Sequence, residues 1–528
     1  MSRFTGTWRM IRFILRRDRV LLPSVILGAG ALMLMYVSSV DSLYPTAADL
    51  KKLAASMNGN PAVVAMLGPT RNLETLGGVI AWRTGTIMQV TAALISMFLV
   101  GRHTRSDEQT GRTELILSTA TGRFAPLTAA LTVTAAANFL IGLACFGVLI
   151  SFGLDSGQSL LLAASIAATG LVFTGVSGVA VQLSGQSRGA YGLIGAALAA
   201  SFVVRATGDL GNGDLTWLSP LGWAELAHAF SGGRWWPLLI SLVVAVALVP
   251  LAFSLLVRRD LGAGILPPRL GPPRASSLLT TPFGFAFRLQ RGTIAGWTIG
   301  MVLGGLAIGA VGDSVEQMLK TSTEVERIFT KGGTSNLVDS YLASMLLIFA
   351  LIGSGYTVSA ALRPHSEEKE GRAEQTLATA IGRWRWAGSH ALLAFAASVL
   401  LLGLCGLSVA IGLGLSTGDW DGTLSLIGSG IANVPAMWVM GGLTILVFGL
   451  LPNRIYLAWL ALTLAIVIWT ADTLSTDAPG WLVEISPFTH TPLLPVASFD
   501  AVPLAVMTAI GLGLNAAGLA AFRHRDLT

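Results

Sequence analysis

Residues 106–123 read SDEQTGRTELILSTATGR, and residues 366–383 read SEEKEGRAEQTLATAIGR. At a constant offset of 260, ten of the eighteen positions are identical: Ser106/Ser366, Glu108/Glu368, Gly111/Gly371, Arg112/Arg372, Glu114/Glu374, Leu117/Leu377, Thr119/Thr379, Ala120/Ala380, Gly122/Gly382 and Arg123/Arg383. Most of these matches are polar, so a shared apolar composition does not produce them. The same offset pairs Cys145 with Cys405, each inside an apolar stretch. Farther out, Trp217-Leu218-Ser219-Pro220 is echoed between Trp481 and Pro487, and Arg259-Asp260-Leu261 by Arg525-Asp526-Leu527. The chain is a duplication.

Composition says what has been duplicated. Of 528 residues 53% are apolar and only 12% charged, with a mean hydropathy of +0.69; soluble domains carry about 25% charged residues. A soluble protein of this size could not cover its surface, which excludes a soluble enzyme and a disordered scaffold. The formal charge of +6 does not indicate a nucleic-acid partner, because the basic residues are dispersed among apolar runs. Two cysteines offer neither a disulfide framework nor metal-ligand spacing. A helix needs about 20 apolar residues to cross the hydrocarbon core. Twelve such runs lie near 20–38, 84–101, 126–152, 158–183, 190–206, 236–257, 293–312, 338–361, 387–415, 422–450, 456–472 and 503–522. In lipid, backbone groups must pair within their own segment, so these runs are helices. The alternation of barrel strands is absent.

The first run follows six arginines, Arg3, Arg9, Arg12, Arg16, Arg17 and Arg19, with no small-residue cleavage site after it. It reads as a retained anchor rather than a signal peptide. With the N-terminus inside, the cytoplasmic segments hold 25 of the 34 basic and 10 of the 28 acidic residues; the remaining 9 basic and 18 acidic residues fall elsewhere. Basic residues favour the cytoplasmic side, so both termini are expected there, in the cell membrane. The first half spans 1–257 and the second 284–528; Pro267, Pro268, Pro272 and Pro273 make 258–283 an extended linker. Six spans per half, an even number, predict parallel repeats related by an axis along the membrane normal. Before the first span, residues 3–19 mix Phe4, Trp8, Ile11, Phe13 and Leu15 with arginines. Before the seventh, 283–291 mix Phe283, Phe285, Phe287 and Leu289 with Arg288 and Arg291. Both read as amphipathic elbow helices lying on the inner leaflet.

The duplicated loops, 102–125 and 363–386, are expected to be helical. Glu108 precedes Arg112 by four residues, and Glu368 precedes Arg372 likewise. That order stabilises a helix by about 0.2–0.5 kcal/mol. Gly111 and Gly371 sit beside those arginines, where glycine costs a helix about 1 kcal/mol; a bend or a close approach by another surface would explain them. A short helix carrying both signs of charge suits docking on a soluble partner.

These loops resemble the GR-x-E…GR segment that follows the second span of each half in actinobacterial ABC exporter permeases, the ABC-2-like group described as antibiotic (tetronasin-type, polyketide) or multidrug exporters. The resemblance covers nearly the whole chain and says little about substrate. It implies that each loop is a coupling helix for an ATPase subunit. One dock would comprise Glu108, Gly111, Arg112, Glu114, Gly122 and Arg123, and the other Glu368, Gly371, Arg372, Glu374, Gly382 and Arg383. The copies differ where Leu115-Ile116 becomes Gln375-Thr376, and Pro364 precedes only the second. Many relatives are six-span subunits that pair, whereas this chain is fused and would supply the whole pathway.

A P-loop needs Gly-x-x-x-x-Gly-Lys-Ser/Thr to cradle phosphates. The five lysines are Lys51, Lys52, Lys320, Lys331 and Lys369, and none follows a glycine. No nucleotide-binding motif is therefore present; ATP and Mg are expected on a separate ABC ATPase, in two copies beneath two loops. The spans are nearly free of ionisable residues: Asp155, Arg205, Asp339, Asp472 and His390 all fall near predicted ends, where anchoring or capping explains them. This favours ATP over a proton gradient. Gln89, Asn138 and Asn433 are candidates for the substrate pathway, against a default role of joining helices together with Gln182 and Asn515. Outside, helices are expected around 49–57 and 314–329. Segments 207–235 and 473–502, with Trp217, Trp223, Trp235, Trp236 and Trp481, would form short extracytoplasmic helices at the outer leaflet.

The expectation is an all-α polytopic membrane protein of twelve transmembrane helices in two parallel six-helix repeats. It would be a permease, not an enzyme, binding no metal, moving amphipathic compounds out of the cell. The alternatives are a proton-coupled antiporter, which needs a titratable group in the bundle, and a membrane enzyme acting on lipid, which needs clustered carboxylates or histidines.

Overall fold

The computed structural model describes residues 2–57, 61–267, 271, 273–319, 337–418, 420–474 and 480–526, and these contain helices and turns but no strand. The chain divides into two compact units, Met1–Gly271 and Pro272–Thr528.

Unit 1 begins with α1 (Thr7–Arg17) and α2 (Leu21–Leu43), followed by the short α3 (Ala47–Met57) and α4 (Pro61–Leu67). Then come α5 (Leu76–Gly101), α6 (Asp107–Gln109), α7 (Arg112–Leu117), α8 (Ala125–Ser151), α9 (Ser156–Leu183), α10 (Ser187–Leu210), α11 (Pro220–Glu225) and α12 (Trp236–Val257). A π-helical turn, Arg102–Ser106, carries α5 into the duplicated loop. The most buried helix is α9, because its inward face is built from small residues. A Cβ on Gly170 would meet Asn138 Oδ1 at 2.0 Å, and one on Gly175 would meet Leu248 Cβ at 2.8 Å. Small residues let helix backbones approach closely in a membrane, where apolar burial alone gives no preference for another helix over lipid.

Unit 2 holds α13 (Pro282–Leu319), α14 (Leu337–Ala361), α15 (Arg363–Lys369), α16 (Arg372–Leu377), α17 (Arg383–Thr417), α18 (Thr423–Ala432), α19 (Val434–Leu450), α20 (Tyr456–Leu474), α21 (Gly480–Ile485) and α22 (Ala501–His524). Here α17 packs on α13 through Gly305, Gly309 and Gly412; a Cβ on Gly309 would lie 2.0 Å from the Val409 carbonyl. The tenth expected span is broken at Asn433, just before Pro435; proline has no N–H to continue the ladder, and the Asn433 side chain donates instead to the Ser429 carbonyl at 2.9 Å.

Among the described residues, eleven helices are long and apolar enough to cross a membrane. They coincide with eleven of the twelve expected runs. The remaining run lies on α20, whose apolar part is described over the shorter Tyr456–Trp469. The protein is a multi-pass all-α membrane protein. One local expectation fails: 283–291 is not a separate elbow but the start of the continuous α13. The first elbow ends at Asp18, whose buried carboxylate is held by Arg102 at 3.1 Å and His103 at 2.7 Å. No acidic residue lies between Pro282 and Gly312 to anchor such a turn. The expected helix at 49–57 is α3, and most of that at 314–329 lies outside the described residues.

A second close backbone contact in unit 2 joins α19 to α22. Cβ atoms on Gly442 and Gly449 would come within 2.3 and 2.2 Å of the Gly511 and Gly518 carbonyls, and one on Gly518 within 2.5 Å of the Ile445 carbonyl. Backbone cannot yield as a side chain can. Gly518→Val should therefore lower stability by about 2 kcal/mol, the scale of overpacking. Gly513→Val, which meets nothing within 4 Å on the same helix, should stay within about 0.5 kcal/mol, as read from thermal unfolding of the purified chain.

Candidate functional site

Each duplicated loop has the same plan. Gly111 (φ 73°) and Gly371 (φ 71°) adopt the left-handed conformation, breaking the helix and starting a new one, α7 or α16. A Cβ at either would meet nothing within 4 Å, so these glycines serve the bend and not a close approach. The break also corrects the expected pairing: Glu108 does not bind Arg112, nor Glu368 Arg372. Arg112 reaches Asp107 at 3.2 Å. Arg372 holds Glu367 with two bonds, 2.6 and 2.9 Å, and also bonds Glu370.

Glu108 and Glu368 turn inward. Arg259 Nη2 donates to Glu108 Oε1 at 2.6 Å and Nη1 to Oε2 at 3.1 Å, while Arg105 Nη1 adds a third bond at 2.8 Å. Arg525 Nη2 donates to Glu368 Oε2 at 2.6 Å. Both arginines come from the terminal Arg-Asp-Leu echo. The side chains are buried, 8% and 3% exposed for Glu108–Arg259 and 6% and 14% for Glu368–Arg525.

A second clamp runs alongside. Arg123 donates to the Leu256 and Arg259 carbonyls at 2.9 and 2.5 Å, and Arg383 to those of Arg523 and Arg525 at 3.4 and 2.5 Å. Each loop is thereby fixed to the last turn of its unit's final helix. Sequence reasoning missed these clamps, although the duplicated Arg-Asp-Leu carried the signal.

The copies then diverge. In unit 1 the Gly122 N–H donates to the Thr5 carbonyl at 2.8 Å, and a Cβ there would meet the Arg3 carbonyl oxygen at 2.2 Å. Arg17 of α1 adds two bonds of 2.8 Å to Asp107. The counterpart Gly382 has open space around it. Beyond Arg259 the chain returns over unit 1: the Ile265 and Leu266 N–H groups donate to the Gln182 and Leu183 carbonyls at 3.1 and 2.9 Å.

What remains exposed is the outward side of each short helix. Arg112, Glu114, Leu115, Thr119 and Ala120 face outward on the first, and Arg372, Glu374, Gln375, Thr379 and Ala380 on the second. Leu115 is 73% exposed. A family model described as the multidrug efflux system permease Rv1217c, C-terminal domain, matches twice, over residues 10–256 and 279–523. The multidrug efflux system permease protein Rv1217c of Mycobacterium tuberculosis is 38% identical over 530 residues, covering 100% of this chain and 96% of that protein. The chain belongs to this permease family.

In this Rv1217c-family permease, the polar residues proposed for a pathway are buried within their units. Asn138 Nδ2 donates to Ser96 Oγ at 2.8 Å and to Thr174 Oγ1 at 3.3 Å, knotting α5, α8 and α9 together. Asn433 serves the break in the tenth span. Gln89 lines a small pocket at the far end of unit 1 from the loop, and its Oε1 has no hydrogen-bond partner. Arg205, expected as an interfacial anchor, is fully buried there. Among the described residues no group of three or more His, Cys, Asp or Glu gathers to hold a metal.

Removing one partner of a buried ion pair costs about 3–5 kcal/mol, because the other charge is left uncompensated. Glu108→Ala, which strands Arg259 and Arg105, should lose that much. Arg112→Ala, half exposed at 51%, should lose less than about 1 kcal/mol. Denaturation midpoints of the two variants, measured in the same membrane mimetic, check the difference.

Proposed function

We propose that this chain is the membrane-spanning subunit of an ATP-driven ABC exporter, moving amphipathic drugs or lipid-like compounds out of the cell. A separate ABC ATPase, one copy per loop, hydrolyses ATP with Mg and docks on the exposed sides of α7 and α16. The N- and C-termini and both loops face the cytoplasm. The observation that supports this reading is the repeated pair of clamps. A tip that is polar and exposed, yet bolted through Glu108–Arg259 and Glu368–Arg525 to the final helix of its unit, is a handle: a push on it moves helices, not merely a loop. Glu108, Arg123, Glu368 and Arg383 position that handle. Arg112, Glu114, Arg372 and Glu374 touch the ATPase, while Gly111 and Gly371 set the bend and Gly122 seats the N-terminal segment. ATP binding does work on the permease only if it favours one of its conformations over another.

Exposed Glu114 and Glu374 can be reversed without disturbing either clamp. The double variant Glu114→Arg with Glu374→Arg should keep the wild-type unfolding midpoint but lose co-purification with the ATPase and drug-stimulated hydrolysis at least tenfold. Undiminished stimulation would defeat the docking assignment. The antiporter reading has one observation in its favour, a buried pair of carboxyl groups at Asp209 and Glu225 described below. Drug accumulation in inverted vesicles containing the chain without any ATPase, driven by a proton gradient, would decide for it.

A further inference from the structure

Unit 1 carries a second cluster of ionisable side chains, at the opposite end from its duplicated loop. Arg205, on α10, donates from Nη2 to the Ala65 and Met66 carbonyls at 2.6 and 3.2 Å, pinning the end of α4. The Phe202 ring lies 4.8 Å from the guanidinium carbon. Its Nη1 faces two carboxylates at once: Asp209 Oδ2 at 3.2 Å and Glu225 Oε2 at 3.3 Å. Asp209 Oδ1 accepts from Thr216 Oγ1 at 2.8 Å. The remaining Glu225 oxygen is 3.8 Å from Arg71 Nη1, too far for a hydrogen bond.

Two buried oxygens thus accept no hydrogen bond, Asp209 Oδ2, which has only its ion pair with Arg205, and Glu225 Oε1. The Asp209 and Glu225 side chains are only 2% and 15% exposed. The pocket beside Glu225 is lined by two more unpartnered polar atoms, Gln89 Oε1 from α5 and His228 Nε2. Three unpartnered acceptors, Asp209 Oδ2, Glu225 Oε1 and Gln89 Oε1, stand against the unpartnered donor Arg205 Nε, and one guanidinium nitrogen is shared between two acids. Like charges converging on one buried point do not both ionise freely. A proton on the Glu225 carboxyl turns its orphan acceptor into a donor and removes its repulsion with Asp209.

We propose that Glu225, held beside Asp209 by one shared guanidinium, binds a proton, making this end of unit 1 a proton-binding site that opens on the pocket of Gln89 and His228. The charged and titratable groups facing Glu225 are Asp209 and Arg205 from α10, Arg71 from the segment after α4, and His228 just beyond α11. Burial, and then the Asp209 charge, push the Glu225 carboxyl up to about 7 against the opposing pull of Arg205 and Arg71. Burial and the nearby Arg71 and Arg234 lower His228 to about 4, so it stays neutral while Glu225 titrates. The guanidinium that bridges the acids also holds α4, so the bound proton sets how firmly that segment is tied down. The site stands whichever energy source drives transport.

The test is infrared difference spectroscopy of the full-length chain in lipid nanodiscs during a pH titration. A protonated-carboxyl band should vanish around pH 7, be absent in Glu225→Gln, and shift its midpoint in Asp209→Asn, while Asp214→Asn leaves it unchanged. The glutamine mimics the protonated acid in shape, so the fold is retained. Thermal unfolding gives a second readout. The folded pKa of Glu225 lies above the ordinary 4.5, so its protonation stabilises the fold most below about pH 4.5, and that contribution is lost as pH rises through about 7. The wild type should show this decline and Glu225→Gln should not. A wild-type chain with no acid band titrating near pH 7, a band that survives Glu225→Gln, or identical pH slopes in the two proteins would overturn the proposal.

Discussion

A buried glutamate bound by an arginine from the far end of its own unit is the interaction on which each half depends. Taking both charges out of water costs several kcal/mol per ion, and only close, hydrogen-bonded geometry returns it. The chain makes this investment twice, between residues 151 apart in unit 1 and 157 apart in unit 2. Its structural return is closure. The loop after the second span is tied to the end of the last one, so the ends of α5, α8 and α12, or of α14, α17 and α22, form one rigid collar. Arg123 and Arg383 tighten it by filling carbonyls that a helix C-terminus leaves without intrahelical donors. Without the collar, a polar six-residue helix held by one glycine bend would have no fixed direction.

Around this common frame the two copies have drifted in ways that follow from their neighbours. Unit 1 gives Glu108 a second arginine, Arg105, which also donates to the Ala263 carbonyl at 2.8 Å, so the returning chain becomes part of the collar. Unit 2 has His365 at the position offset from Arg105, and Arg525 finds support in aromatic faces instead, 5.1 Å from the Phe448 ring and 5.3 Å from Phe522. Stacking on rings holds a guanidinium flat without consuming its donors. The tips differ accordingly: Leu115 and Ile116 give the first an apolar edge, where Gln375 and Thr376 give the second a polar one. Two partners with one shape would meet two different surfaces.

The spans were legible in the sequence because membrane crossing imposes a length and an apolarity that few other structures share. The duplication was legible because its matches are polar. Pairing inside the loop was not. An i,i+4 rule assumes an unbroken helix, and Gly111 with φ at 73° ends one between Glu108 and Arg112. The partners Arg259 and Arg525 lie more than 150 residues away, where no periodicity points. The same holds for Arg205. Its place near the end of an apolar run fits an interfacial anchor, and Asp209 stands four residues along the same helix, whereas Glu225 and two carbonyls of α4 are brought to it only by folding. The second elbow misled for the opposite reason: composition repeated, but the aspartate that turns the chain did not.

How a collar could act at a distance depends on what lies between the helices. Where side chains interdigitate, displacing one helix against another must unlock many packed rotamers, and a packed core resists small shifts. Both units instead place glycine against backbone at central contacts, Gly142 beside the Ala163 carbonyl in unit 1 and Gly309, Gly412, Gly442 and Gly449 against carbonyls in unit 2. Such surfaces are smooth and close, stiff against separation because a missing Cβ leaves no lever, yet free of knobs that would oppose a slide along the axis. In unit 1 the hydrogen bonds from Asn138 to Ser96 and Thr174 sit at one level of the bundle and so define a pivot more than a lock. On the reading of the loops as handles, rigid ends joined by smooth flanks are the mechanical requirement: force applied to a collar is carried along whole helices instead of being absorbed at the first contact.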